Sequence, residues 1–379
     1  MDLNECREKI NAIDDSMLKL FVERMQVARD VAQYKQEHHI PVSNPTRERE
    51  ILVRMAKAAG PDLGGYIQRL YTMLFEVSRA YQHELKQPNG GISTQIKKAY
   101  SDTPAEFPNM ATVAVQGTGG AYSEFAAERF FGLPEITWVR SFSGVAQAVE
   151  KGLCKYGILP VENSNYGTVG AVYDLMQQHK FHVVRSLKLH IAHALLALPG
   201  AKLENIKEIV SHEQALGQCE KFLNAHPSIK VTAVENTAVA AKMVVESNRN
   251  DIAAIAGKNC AKLYNLAVLS DDVQNSPNNY TRFICIAKDL MIFPGASRIS
   301  LLLSLPHRPG ALYSAIAKFA ALGLNLLKLE SRPMPGSDFE FRFYFDVAVT
   351  DRSPAVLRLM DELEAELENF TFLGWYSEV

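Results

Sequence analysis

Cysteine is scarce in this chain, and its five residues, Cys6, Cys154, Cys219, Cys260 and Cys285, lie far apart. An odd number without short spacings fits neither a disulfide framework nor a metal cluster, so buried reduced thiols in a cytoplasmic protein are expected. An excess of one charge is also missing. Lys and Arg total 40 against 42 Asp and Glu, a formal net charge of -2, which argues against nucleic acid or an anionic membrane as the main partner. No apolar run approaches the roughly 20 residues that span a bilayer. The start, Met1-Asp2-Leu3-Asn4-Glu5, is acidic and has no apolar core of a signal peptide, so neither export nor membrane anchoring is expected. What is present is an ordinary globular composition, 47% hydrophobic and 22% charged, over 379 residues. That is enough for two or three domains.

Residues 4–38 contain neither Gly nor Pro. Ile10, Ile13, Met17, Leu20, Val27, Ala28 and Val31 follow helical spacing and, at roughly 100° per residue, share one stripe. Arg24 and Lys35 fall near the centre of that stripe, where a cation is costly unless paired or liganded. Arg7 lies about 100° to one side and faces a different neighbour. A second helix starts at Asn44, its N-cap, with Pro45 at the first helical position, and ends at Gly60-Pro61. Arg47 and Glu48 lie in its first turns. A third helix over 64–86 carries Ser78 and Gln82 on one face. Two readings follow. One is a dimerisation arm whose cations pair with neighbouring carboxylates. The other is a helix-lined pocket for a small dicarboxylate whose rearrangement needs only electrostatic steering.

This segment resembles the all-helical class of chorismate mutase, which has Arg-Glu-Lys-Ile near its start, a later Arg and Lys, Asp-x-x-Arg-Glu, and Ser-x-x-x-Gln. Here these are Arg7-Glu8-Lys9-Ile10, Arg24, Lys35, Arg47-Glu48, and Ser78 with Gln82. Asn44 replaces the family's Asp, keeping the capping oxygen and dropping the charge. The resemblance implies a substrate pocket of Arg7, Arg24, Lys35, Asn44, Arg47, Glu48, Ser78 and Gln82, with Arg24 and Lys35 catalytic. It also implies two intertwined chains, with Arg7 reaching the partner's pocket.

Residues 86–110 are rich in Gln, Pro, Asn, Gly, Ser and Thr and read as a linker. Strand-like and helix-like runs then alternate to about 290, predicting α/β layering with parallel strands in two small lobes around a cleft. Polar clusters sit where strands end. Gly117-Thr118-Gly119-Gly120-Ala121-Tyr122-Ser123 either cradles an anion on backbone amides or simply forms turns. The apolar run Gly157-Ile158-Leu159-Pro160-Val161 stops at Glu162-Asn163-Ser164, with Thr168 ahead of the next helix. Ser211, expected as an N-cap, precedes Gln214 and Gln218. Asn279-Tyr280-Thr281-Arg282-Phe283 opens the last strand.

Together these resemble the prephenate dehydratase domain, whose motifs Gly-x-x-Gly-(Ser/Ala)-(Tyr/Phe)-Ser, Pro-(Ile/Val)-Glu-Asn-(Ser/Thr), Ser-His-x-Gln-x-x-x-Gln and Asn-x-Thr-Arg-Phe recur here in order. The resemblance implies a two-lobed, periplasmic-binding-protein-like α/β fold and no cofactor or metal. Thr281 is then the donor to the departing hydroxyl, and Arg282 counters a substrate carboxylate. Glu162, Asn163, Ser164, Thr168, Ser211, Gln214 and Gln218 surround the substrate, with Thr281 expected across the cleft from Glu162-Asn163.

After Phe293-Pro294-Gly295-Ala296, the order βαββαβ over 297–379 is the ferredoxin-like motif. Arg308-Pro309-Gly310-Ala311-Leu312, Asn325 and Glu330-Ser331-Arg332-Pro333 resemble the ACT domain of prephenate dehydratases. This implies a phenylalanine effector held by Gly310, Ala311, Leu312, Asn325, Glu330 and Ser331. The expected organisation is a mutase domain over 1–88, a linker over 89–110, a dehydratase domain over 111–290 and an ACT domain over 297–379. As a whole the chain resembles the bifunctional chorismate mutase–prephenate dehydratases: chorismate and prephenate as substrates, phenylalanine as effector, at least a dimer, cytoplasmic. Two alternatives are a dehydratase with a purely structural helical arm and a non-catalytic amino-acid sensor.

Overall fold

The uninterrupted N-terminal stretch forms one helix, α1 (Leu3–Glu37), capped by Asp2, whose carboxylate accepts from the amides of Asn4 and Glu5 while the Glu5 side chain returns the bond. The computed structural model describes residues 2–86, 91–271, 273–333 and 341–379. They divide into two units, residues 1–95 with 353–368 and residues 96–352 with 369–379.

In the first unit, α1 packs beside α2 (Pro45–Lys86). Asn44 caps α2 by accepting from the Arg47 amide at 3.1 Å. Gly60 adopts left-handed φ 78° ahead of Pro61, so α2 is in effect two helices broken where the sequence predicts. The expected linker is partly helical: α3 (Ile92–Asp102) lies within it. Two carboxylates of α12 (Pro354–Glu366) satisfy the first amides of α3, Glu364 accepting from Ile92 and Asp361 from Ser93. Polar composition hid this helix because its apolar face is small, little more than Ile92, Ile96 and Ala99. Residues 87–90 of that linker lie outside the described residues.

The second unit begins with β1 (Met110–Gln116), α4 (Tyr122–Phe130), β2 (Leu133–Val139), α5 (Phe142–Glu150), β3 (Tyr156–Asn163), the short β4 (Gly167–Thr168), α6 (Gly170–Gln178) and β5 (His182–His190). The chain then crosses to a second sheet, built from β6 (His193–Ala197), β7 (Glu208–Ser211), α7 (Glu213–Gln218), α8 (Glu220–Asn224), β8 (Lys230–Ala233), α9 (Thr237–Ser247), β9 (Ile252–Gly257), α10 (Lys258–Leu263) and β10 (Ala267–Ser270). It returns as β11 (Tyr280–Ala287), which inserts between β5 and β3, antiparallel to both. Both sheets are therefore mixed, where the sequence pattern predicts parallel strands: β11 re-enters the first from the second lobe, and β6 runs antiparallel to β9 and β10 in the second.

The four strands β12 (Arg298–Ser304), β13 (Asn325–Pro333), β14 (Phe341–Ala348) and β15 (Phe370–Glu378), with α11 (Ala311–Ala321), pair in the order β13-β14-β12-β15. That is the ferredoxin-like order. β15 also pairs in parallel with β5 at Ser377 and Glu378, so this sheet continues the dehydratase-like one. One core serves both: Leu302, Tyr344, Leu373 and Tyr376 pack with Val145, Leu159, Tyr173 and Ile284.

Candidate active site

The re-entry of β11 decides the main site. Register places Thr281 directly opposite Asn163, 118 residues earlier, on the neighbouring strand of the same sheet. The two are thus not on opposite walls of a cleft, as the sequence suggests. The Asn163 amide nitrogen donates both of its hydrogens, one to Thr281 Oγ1 at 3.0 Å and one to Asn279 Oδ1 at 2.8 Å. Its oxygen accepts from the amides of Asn165 and Tyr166. Asn279, almost fully buried, donates both of its own hydrogens, to Gln218 Oε1 at 2.8 Å and Gln274 Oε1 at 3.3 Å. Ser164 closes the end of the strands, donating to the Asn278 carbonyl and accepting from the Tyr280 amide. A pocket beside this cluster is lined by Asn165, Tyr166, Gln218, Gln274, Asn275 and Asn279. At its edge a Cβ on Gly217 would lie 2.6 Å from the Tyr166 hydroxyl. Glycine at 217 lets the second lobe approach that ring.

The remaining predicted residues are placed otherwise. Arg282 points away from Thr281, as alternation along a strand requires, and is buried. Its guanidinium donates to Asp346 at 2.6 Å and lies 3.4 Å from Glu162. A carboxylate of the same chain, not a substrate's, is its partner. Burial alone would push the Asp346 carboxyl up, but Arg282, Ser300 and Tyr344 outweigh it and hold it below its ordinary value. Glu162 accepts from Lys328 of β13 at 3.0 Å, and Thr168 donates to Glu330 of the same strand at 2.9 Å. Ser211 is fully buried and donates to the Ile255 carbonyl, and the cap of α7 is His212 instead. Gln214 is exposed in the first turn of α7. In the glycine turn at 117–120 several backbone groups are already taken. The amides of Gly117, Gly120 and Ala121 bond to Val139, Glu124 and Thr118, and α10 residues Asn259 and Cys260 donate to the Gly120 carbonyl.

Sequence reasoning missed Gln274, His193, Lys328 and Asp346. His193 is buried, with Nε2 2.8 Å from Gln218 Oε1 and burial depressing its pKa to about 4. Only the fold brings these residues to the site.

On β13 the exposed and half-buried positions alternate. Asn325 and Ser331 share the exposed face, and Glu330 lies on the other. Gly310, at φ 86°, caps α11, and Ala311 and Leu312 form its first turn.

In the helical unit, Arg24 donates to the Leu74 carbonyl at 3.4 Å and lies over the Phe75 ring, while Lys35 donates to the Val42 carbonyl at 2.6 Å. Ser78 and Gln82 are buried together. The Gln82 amide nitrogen bonds Ser78, and its oxygen is buried without a hydrogen-bond partner. Glu48 pairs with Arg79 at 2.6 Å, a residue that the motif did not single out. Arg47 is exposed and pairs with Glu50, and Arg7 is exposed without a partner among the described residues.

A helical unit with half-buried cations and a two-sheet α/β module whose sheet runs on into a ferredoxin-like fold are the architecture of a multidomain enzyme of the mutase–dehydratase class. The family model for chorismate mutase type II matches residues 6–83, and that for prephenate dehydratase matches 113–290. A bifunctional chorismate mutase/prephenate dehydratase of Enterobacter agglomerans is 31% identical, covering 98% of this chain and 94% of that one. An arogenate dehydratase/prephenate dehydratase 2 of Arabidopsis thaliana is 34% identical over 79% of this chain and 80% of its own. The crystal structure of a prephenate dehydratase from Arthrobacter aurescens in complex with L-Phe has TM-score 0.64 and 28% identity, covering 70% of this chain and 89% of that one. The chain belongs to the bifunctional chorismate mutase/prephenate dehydratase family.

Proposed function

We propose that the helical unit rearranges chorismate to prephenate and that the α/β module converts prephenate to phenylpyruvate, in the cytoplasm. The observation that carries the second step is the hydrogen bond from Asn163 Nδ2 to Thr281 Oγ1. Because the amide nitrogen can only donate, Thr281 accepts there, and its own hydrogen is left for the departing ring hydroxyl. In the reaction the C–C bond to the ring carboxylate breaks as carbon dioxide leaves. Its electron pair enters the ring, and the C–O bond at the opposite carbon breaks. The leaving hydroxide takes up one proton to depart as water. A threonine hydroxyl is too weak an acid to protonate ahead of cleavage; as a fixed donor it stabilises the developing hydroxide, and solvent supplies the net proton. Gln218 borders the same place and keeps its amide N–H groups for a polar anion, while Asn163 and Ser164 spend their hydrogens inside the cluster.

In the helical unit, the buried Ser78 and Gln82 and the half-buried Arg24, Lys35 and Glu48 supply the charges and donors that a rearranging dicarboxylate needs. Arg7 is too exposed to serve the same pocket. It fits the site of a second copy, so the working form is at least a dimer. Phenylalanine acts as effector at Gly310, Ala311, Leu312, Asn325 and Ser331.

The test is to supply chorismate to the purified protein and follow prephenate and phenylpyruvate. Conversion to phenylpyruvate is expected, slowed by added phenylalanine. Thr281→Ala should lower dehydration by about 10²-fold or more and leave mutase turnover intact; near-normal dehydration in that variant would remove the threonine from its role. Formation of phenylpyruvate from prephenate but not from chorismate would make the helical unit structural only.

A further inference from the structure

The chain of amides ending at Thr281 has a definite direction, and its far end is a histidine outside the matched motifs. Gln218 Oε1 accepts from Asn279 Nδ2 and faces His193 Nε2, each at 2.8 Å. Asn279 in turn accepts from Asn163 Nδ2, so the contacts run on to Asn163, whose orientation the amides of Asn165 and Tyr166 also set. An inverted Gln218 amide would set N–H groups against both Asn279 Nδ2 and a protonated Nε2. The contact therefore needs Nε2–H as donor, which leaves Nδ1 without a hydrogen. Nδ1 lies 3.5 Å from the Tyr122 hydroxyl, whose own hydrogen goes to the Ala192 carbonyl, so these two make no hydrogen bond in this tautomer. The ring is almost completely buried, at 3% exposure, so it holds one rotamer and one tautomer.

We infer that His193 is a positioning residue for the dehydration step: its Nε2–H sets the Gln218 amide, and through Asn279 this holds Asn163 Nδ2 in place against Thr281 Oγ1 and so keeps the Thr281 hydroxyl aimed at the leaving group. His193 contacts no reacting atom. Without its donor, Gln218 is free to turn over and set N–H groups against Asn279 Nδ2, which displaces Asn279 and loosens its hold on the Asn163 amide beside Thr281; Asn163 keeps its orientation, because its oxygen accepts from the amides of Asn165 and Tyr166. His193 lies on β6 of the second lobe and Thr281 on β11 of the first, so the relay also ties the chemistry to the relation of the two lobes. It rests on the proposed role of Thr281.

The experiment compares His193→Leu, His193→Gln and Thr281→Ala in the full chain, with mutase turnover as the internal measure of folded enzyme. His193→Leu removes the donor, and kcat for prephenate should fall on the order of 10²-fold, the cost of a misplaced catalytic group, with KM within about twofold, because ground-state contacts remain. His193→Gln places an amide N–H near the lost Nε2 and should recover most of kcat. Gln218→Met breaks the relay one step on, and the double variant His193→Leu with Gln218→Met should be no slower than the worse single one. A wild-type kcat in His193→Leu would overturn the inference. So would equal losses in the Leu and Gln variants with mutase turnover intact, which would make the imidazole a packing group. Additive losses in the double variant would overturn it as well. Dehydration preserved in Thr281→Ala would instead bring down the underlying role of Thr281, and the inference with it.

Discussion

At the scale of single residues, burial sets what each charged or polar group can do. Arg282 and Asp346 form a pair with 3% and 0% of the side chains exposed, extended by Arg298 and by the hydroxyls of Ser300 and Tyr344. Removing one member leaves an unpaired buried charge, so Arg282→Met should cost about 3–5 kcal/mol of stability, read by denaturant unfolding. The Asp346 carboxyl is held below its unfolded value. Its contribution is therefore present above the ordinary carboxylate range and is lost as pH falls through the lower folded value. His193 works in the same sense. Its folded pKa of about 4 lies below the ordinary 6.5, so the unfolded chain binds the proton more readily. Stability then falls as pH drops from 6.5 towards 4, by about 1.4 kcal/mol per pH unit at most. His193→Gln should flatten that part of the stability profile relative to the natural protein; an unchanged slope would mean that the imidazole is not held neutral.

At the scale of elements, β13 is the strand to watch. Its half-buried side carries Lys328, Glu330 and Arg332, bonded to Glu162, Thr168 and Asp174 of the β3–α6 segment that borders Asn163. Its exposed side carries Asn325 and Ser331. One strand thus shows candidate effector residues on one face and grips the segment leading from the site with the other. These ion pairs are partly exposed, with Asp174 at 45%, so each contributes little to stability. Arg332→Ala should lower stability by less than about 1 kcal/mol. It should still shift the phenylalanine concentration for half-inhibition, which side-by-side inhibition curves would show. Coincident curves would mean that this grip carries no signal. Alternation decides which residues of β13 act together, and the Glu-Ser-Arg-Pro motif read as a string of letters does not show it.

At the scale of the whole molecule, much of the apolar stripe of α1 is left uncovered by the described residues, although Ala28 is buried. Ile10, Ile13, Met17, Leu20 and Val27 are all at least half exposed, although their spacing is that of a buried face. The second copy proposed above would cover this face. Ile13→Glu with Leu20→Glu should yield monomers by light scattering after gel filtration, with mutase turnover lost and dehydration retained; a stable dimer in that variant would place the interface elsewhere.

Much of this was legible in the chain itself. Helical spacing without Gly or Pro dictated α1, Asn44-Pro45 and Gly60-Pro61 marked the limits of the next helix, and strand ends rich in Asn, Gln, Ser and Thr marked the candidate dehydratase site. These are local signals, carried by backbone preference and periodicity. The sequence could not show that β11 returns between β3 and β5. That topology sets Thr281 beside Asn163, turns Arg282 towards Asp346, and brings His193 and Gln274 to residues far away in the chain. Nor could it show that Glu162 and Thr168 are gripped by β13. Hydrogen bonds between side chains distant in sequence depend on register and on which face each residue presents, and these are settled only when the sheets pair and pack.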